Sequence, residues 1–206
     1  QPNSPILADI DGNGDLEIIA HLWTCIKAFD GDGTVLWSIS FPVTWSNGGA
    51  VGDIDGDGKL EYIIGNYYGN VYAINCEDGS TLWTYKTGNQ VKSSPALADV
   101  DNDNRLEVII GSDDYGLYAI DGINGTVEWC INLSYQIGRS SPAVGDIDGD
   151  NKFEIVIGNI YGELYALDLS NPGGRIYWKE YQANSMNWGN QKDINEDGDM
   201  LSTYNE

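Results

Sequence analysis

The chain has 206 residues, 32 acidic against 10 basic, with a formal net charge of −22 and 26 glycines beside 13 tyrosines and 7 tryptophans. That charge repels nucleic acid and anionic membrane surfaces. No run reaches the roughly 18 apolar residues of a membrane-spanning helix, and the aromatic content with regularly spaced acids excludes a disordered acidic tail.

Taken in chain order, the sequence divides into four units and a remainder. The first, about residues 4–47, opens on PILAD, passes through an acidic loop starting at Asp9, continues as LEIIA and reaches Trp37. The second, about 48–92, reads GAVGD, a loop from Asp53, LEYIIG and GNVYAINCEDGSTLW, ending on Trp83. The third, about 93–138, contains SPALADV, LEVIIGS, GLYAID and TVEWCINL, with its loop at Asp99 and its tryptophan at Trp129. The fourth, about 139–185, reads PAVGD, a loop from Asp146, FEIVIG and GELYALDLSNPGGRIYW, with Trp178. Residues 186–206 form a C-terminal segment with a fifth acidic loop at Asp193. Loop starts are 44, 46, 47 and 47 residues apart and the tryptophans 46, 46 and 49. Two features locked to one period mark a tandem repeat.

Four short apolar runs per unit, separated by turn residues, predict a four-stranded antiparallel sheet. The small first run suits a strand beside a crowded axis, and the nearly continuous second run suits a strand covered on both faces. Radially stacked sheets of this size make an all-β propeller of four blades, whereas a linear solenoid uses shorter repeats. One tryptophan per unit is expected to pack between neighbouring blades. The lone His21 is expected at the surface. Cys25, Cys76 and Cys130 allow at most one disulfide, so no disulfide framework holds the fold.

The acidic loops follow D-x-D-x-D-x-x-x-E. A hard cation such as Ca²⁺ takes six to eight oxygens, and this spacing aims side chains 1, 3 and 5 inward, adds the carbonyl of position 7 and closes with the acid at 9. The expected ligands are Asp9, Asp11, Asn13, Asp15 and Glu17; Asp53, Asp55, Asp57, Lys59 and Glu61; Asp99, Asp101, Asp103, Arg105 and Glu107; and Asp146, Asp148, Asp150, Lys152 and Glu154. In the fifth loop Asp193, Asn195, Asp197 and Asp199 keep positions 1, 3, 5 and 7, but position 9 is Leu201. Position 6 is Gly14, Gly58, Asn104, Asn151 and Gly198, all tolerant of a left-handed backbone. No histidine or cysteine lies in any loop, which excludes a soft metal.

Through GGAVGDIDGDGKLEYIIG, SSPALADVDNDNRLEVIIG and SSPAVGDIDGDNKFEIVIG the chain resembles the FG-GAP or VCBS repeats, the calcium-loop propeller repeats also found in integrin α-subunit heads. Through GNVYAINCEDGSTLW, GLYAIDGINGTVEW and GELYALDLSNPGGRIYW it also resembles the repeat of quinoprotein (PQQ-type) propellers. The resemblance implies an extracellular adhesion, ligand-binding or assembly module, and a ring of six to eight blades. Four blades leave three arrangements open: a closed four-bladed ring, part of a larger ring, or half-rings joined between chains.

The expected function is that of an extracellular or cell-surface, calcium-stabilised structural, adhesion or self-assembly module acting through protein–protein contacts at blade edges. The alternative is a carbohydrate-binding propeller. The hairpins between second and third strands carry Trp23, Tyr67, Tyr68, Tyr115 and Tyr161, and Trp45, Tyr135 and Trp188 lie near the same face, so aromatic rings could stack on sugars there. Asn124-Gly-Thr and Asn132-Leu-Ser are N-glycosylation acceptors. No nucleophile–base pair, phosphate loop or His-bearing metal site is evident, and the paired acids belong to the loops, so no catalysis is expected; a part in a quinoprotein-like enzyme is the least favoured reading. With no initiating methionine or signal segment before it, Gln1 is read as a mature or excised N-terminus.

Overall fold

The computed structural model describes residues 4–22, 24–40, 48–150 and 152–169, together with the backbone of a last strand at Arg175–Tyr181. The described residues form sixteen strands and no helix. The first blade is β1 (Ile6–Ala8), β2 (Glu17–His21), β3 (Cys25–Phe29) and β4 (Val35–Ser40). The second is β5 (Ala50–Gly52), β6 (Glu61–Gly65), β7 (Asn70–Asn75) and β8 (Thr81–Lys86). The third is β9 (Ala96–Ala98), β10 (Glu107–Gly111), β11 (Gly116–Asp121) and β12 (Val127–Asn132), and the fourth is β13 (Ala143–Gly145), β14 (Glu154–Gly158), β15 (Glu163–Asp168) and β16 (Arg175–Tyr181). Each quartet is an antiparallel sheet in chain order, a blade of a β-propeller.

The innermost strands are the short ones. Strand β1 meets β5, β5 meets β9, and β9 meets β13, so small residues such as Ala50 and Ala96 sit where sheets converge. The second strands are covered on both faces: every residue of β6 and β10 is buried, as their unbroken apolar runs predict. Glycine closes these strands because a neighbouring connector crosses there; a Cβ on Gly111 would come within 2.6 Å of the Ile137 side chain. The first blade has His21 at this position, and here the expectation of a surface histidine is wrong. His21 is only 4% exposed, at the covered end of β2, and burial lowers its pKa below the ordinary value.

One irregularity recurs in every blade. The third strand pairs with the fourth through Ala28↔Trp37, Ala73↔Trp83, Ala119↔Trp129 and Ala166↔Trp178, and the register shifts immediately afterwards. The β-bulge therefore sits beside the tryptophan, opposite an alanine small enough to leave room for a large ring, and it turns the fourth strand locally. Trp37 Nε1–H donates to the Cys76 carbonyl of the second blade, and Trp83 Nε1–H to the Gly122 carbonyl of the third, both at 2.6 Å. Gly79 and Gly125, at φ +76° and +72°, make the receiving turns, and a Cβ on either would press within 3 Å of the incoming indole.

The core consists of three apolar clusters, one at each interface between successive blades. Ile19, Ile26 and Trp37 meet Tyr62, Ile64 and Ile74; Ile63, Val71 and Trp83 meet Val108, Ile110 and Ile120; Ile109, Leu117 and Ala119 meet Ile155, Ile157 and Leu167. Full burial of each large aliphatic residue contributes about 1.5–3 kcal/mol. All the stacking energy lies between sheets, so each blade depends on its neighbours. The three cysteines are free, and burial pushes the Cys76 thiol pKa up to about 12.

Candidate metal centres

Each acidic loop joins the first and second strands of its blade, and four loops fall within the described residues; the fifth, with Asp193, Asn195, Asp197 and Asp199, lies outside them. Position 1 wraps the turn. Asp9 accepts from the Gly12 and Gly14 N–H groups at 2.8 and 3.0 Å, and Asp53 from Gly56 and Gly58 at the same distances. Asp99 accepts from Asp103 and Asn104, and Asp146 from Gly149. Positions 3 and 5 make short turns of their own: Asp55 accepts from Asp57 N–H and Asp57 from Lys59 N–H, with the same pattern in the other three loops. Through these bonds the backbone holds the acids in one concave turn before any ion arrives.

The left-handed backbone expected at position 6 is found at Gly14, Gly58 and Asn104, with φ of +94°, +88° and +67°. Asn151 lies outside the described residues. Position 4 is left-handed as well, at Gly12, Gly56, Asn102 and Gly149, a feature the spacing of the acids alone did not announce; in the fifth loop this position is Glu196. Two left-handed residues in each of the first three loops curl them tightly enough to converge their oxygens.

Ligand atoms of Asp9, Asp11 and Glu17 lie within 4.8 Å of one another, as do those of Asp53, Asp55 and Asp57, of Asp99, Asp101 and Glu107, and of Asp146, Asp148 and Glu154. The position 9 glutamates are buried at the start of the second strand. One oxygen of each accepts the N–H of position 2: Glu17 from Ile10, Glu61 from Ile54, Glu107 from Val100 and Glu154 from Ile147, at 2.8–3.0 Å. The other oxygen of Glu17 and of Glu154 is buried with no partner at all. A buried carboxylate oxygen left unpaired is costly. In both loops it stands beside two further carboxylates, the chemistry of a site completed by a hard cation.

The electrostatics agree. Burial pushes the pKa of Glu61 up to about 7 against the opposing Ile54 N–H bond, and Asp55, Asp57 and Asp53 push it the same way. Burial also takes Glu107 to about 7, with Glu128, Asp101 and Asp103 adding to it, and raises Glu154. The flanking cations are exposed: Lys59 pairs with Glu77 outside the loop, while Lys152 pairs with Asp150 at 3.1 Å. Such surface pairs are weak enough for a divalent ion to displace.

The opposite ends of the blades carry the tyrosines expected there. Tyr67, Tyr68, Tyr115 and Tyr161 are all more than 40% exposed, and Tyr135 stacks on Tyr161 with ring centroids 4.4 Å apart. Trp23, Trp45 and Trp188 lie outside the described residues. Tyr115 takes the left-handed position, φ +76°, that Gly69 and Gly162 hold in the equivalent turns, an unfavourable place for an aromatic residue. Beside it, buried Asp113 pairs with Lys92 from one blade connector and accepts the Gly138 N–H from the next, a tie that no local motif announced. Asn124 and Asn132 are both exposed.

Residues 24–195 match the family model described as outer membrane protein assembly factor BamB. The chain belongs to that family. No curated protein matches the sequence. Among solved structures, BamB from Moraxella catarrhalis aligns with 87% of this chain and 51% of its own at 19% identity and a TM-score of 0.58. The biofilm matrix protein Bap1 of V. cholerae aligns with 87% of this chain and 28% of its own, at 23% identity and a TM-score of 0.65. BBS1N, solved in complex with ARL6DN, aligns with 88% of this chain and 55% of its own, at 13% identity and a TM-score of 0.62. The chain thus spans about half of the BamB and BBS1N chains. These likenesses establish the PQQ-like propeller repeat.

Proposed function

We propose that the chain is an extracellular, calcium-stabilised propeller module that works by binding other proteins and not by catalysis. The observation that carries the calcium reading is the pair of buried, unpartnered oxygens on Glu17 and Glu154, each inside a loop whose backbone already curls three acidic side chains together. These loops fit the FG-GAP/VCBS type, with oxygen ligands at positions 1, 3, 5 and 9 and the carbonyl of position 7. Extracellular modules hold Ca²⁺ with Kd on the order of 10⁻⁴–10⁻³ M. Such sites fill outside cells and stay empty in cytosol, which supports an extracellular location. The family's description as an assembly factor, the naming of Bap1 as a biofilm matrix protein and the BBS1N complex support protein–protein contacts and self-assembly.

Calorimetric titration of Ca²⁺ into chelator-stripped protein tests this. At least four ions should bind at millimolar concentration, and Glu154→Gln, which keeps an acceptor for Ile147 N–H but loses the charge, should remove one. Absence of uptake at millimolar Ca²⁺ would make the loops ordinary turns. The exposed tyrosine face favours a second reading, glycan binding; retention on immobilised glycans should then vanish in a Tyr67→Ala, Tyr115→Ala, Tyr161→Ala variant.

A further inference from the structure

The four described loops differ at position 7, which is Asp15 in the first, Lys59 in the second, Arg105 in the third and Lys152 in the fourth. In the third and fourth loops the cation turns back on the acid at position 5. Arg105 Nε lies 3.7 Å from Asp103 Oδ2, and Lys152 Nζ 3.1 Å from Asp150 Oδ2. The Oδ1 of each acid accepts the N–H of position 7, so both oxygens are engaged inside the loop. The ligand atoms that converge there are those of positions 1, 3 and 9, without position 5.

The second loop departs from this. Lys59 Nζ lies 2.6 Å from Glu77 Oε2, in the turn between β7 and β8 and outside the loop. Asp57 Oδ1 accepts the Lys59 N–H as its counterparts do, but among the described residues no ion pair engages its Oδ2. This is the loop in which position 5 joins the cluster, with ligand atoms of Asp53, Asp55 and Asp57 within 4.8 Å of one another.

The difference traces to one residue. Asn75 and Asp121 hold equivalent places, each donating its N–H across its turn, to the Ser80 and Thr126 carbonyls, so Glu77 of the second blade corresponds to Ile123 of the third. Where that place is acidic, the position 7 cation is drawn out of its loop. Where it is Ile123, which offers no charge, Arg105 stays on Asp103. Lys59 and Glu77 are both about half exposed, so their pair adds little to the stability of the fold. Its effect falls on the loop. A cation seated on Asp57 would occupy an oxygen that a divalent ion needs and would repel that ion at close range.

We propose that Glu77 sets the affinity of the second loop: by holding Lys59 outside, it leaves the Asp53, Asp55 and Asp57 carboxylates open to Ca²⁺, and this loop fills at lower concentration than the third and fourth, whose resident cations must first be displaced. Glu77 is a positioning residue that acts through Lys59. The inference rests on the calcium reading above and gives those three loops an order of filling.

Calcium titration of the chelator-stripped chain, followed by amide resonances, tests it loop by loop. The Gly58, Asn104 and Gly149 N–H groups bond to Asp53, Asp99 and Asp146, so each reports its own loop. The Gly58 midpoint should lie about three- to tenfold below the other two. Glu77→Gln should raise it to their level without moving theirs. With Lys59→Met in addition, Gly58 should titrate as it does in Lys59→Met alone, because no cation remains to be positioned. Equal midpoints in the unaltered chain, a Gly58 midpoint indifferent to Glu77→Gln, or a Glu77→Gln effect that persists beside Lys59→Met would each overturn the proposal and leave the calcium reading standing. If none of the three amides responds to millimolar Ca²⁺, both fall.

Discussion

Removing calcium should change both the stability of the protein and the sign of its response to acid. If the loops bind Ca²⁺ as proposed, with Kd between about 10⁻⁴ and 10⁻³ M, roughly 2 mM Ca²⁺ should stabilise the folded chain by about 0.6–1.8 kcal/mol per site. Four independent loops give roughly 3–7 kcal/mol, a rise in Tm on the order of 10 °C or more for a chain of this size. In chelator, Glu61 and Glu107 ionise near 7 when folded against 4.5 unfolded, so between those values the folded state holds more protons. Acidification from pH 8 towards 5 should therefore stabilise the metal-free protein, a contribution lost again as pH rises through 7. In calcium, protons compete with the ion for the same carboxylates, so the metal-dependent gain should shrink over that range. Thermal melts at pH 5, 6, 7 and 8, each with calcium and with chelator, should give two curves that converge in acid. A constant gap at all pH values, or a metal-free protein that loses stability steadily from pH 8 to 5, would refute the account of the buried glutamates.

Three substitutions probe the framework. Trp83→Phe strips the Gly122 carbonyl of its donor and leaves space in the second interface, so it should cost about 2–4 kcal/mol in denaturant melts; a loss under about 1 kcal/mol would mean the indole contact is incidental. Gly125→Ala combines φ +72° with a Cβ 2.8 Å from the Trp83 ring, whereas Gly12→Ala at φ +75° meets nothing within 4 Å. The first should exceed the roughly 1 kcal/mol left-handed penalty expected of the second. Tyr115→Gly should raise stability by about 1 kcal/mol by relieving its left-handed backbone, read as a higher Tm in calcium, while weakening any ligand held on the tyrosine face.

The period of the loops and tryptophans made the blades legible because a repeat that cannot bury its own faces must stack, and the apolar second run told which strand lies deepest. The clustering of acids in four loops was legible because D-x-D-x-D-x-x-x-E sets their carboxylates at fixed spacing around one turn. Position 4 was less legible, because Glu196 breaks its Gly/Asn pattern in the fifth loop. His21 was misread from its polarity, when its alignment with Gly65 and Gly111 placed it at the covered end of a strand. The bulge beside each tryptophan could not be read, since it exists only in the pairing of two strands. The Lys92–Asp113 tie was equally hidden, because it joins a connector to a turn 21 residues away across a blade boundary.

The tryptophan contacts carry a consequence for how the chain folds. Each one bridges 39 residues and ties one blade to the next. No such tie skips a blade among the described residues, so a growing chain can complete each interface as soon as the following blade emerges, and order can spread along the chain from any pair already formed. The second strands β6 and β10, buried on both faces, should then protect their amides longest and exchange hydrogen last.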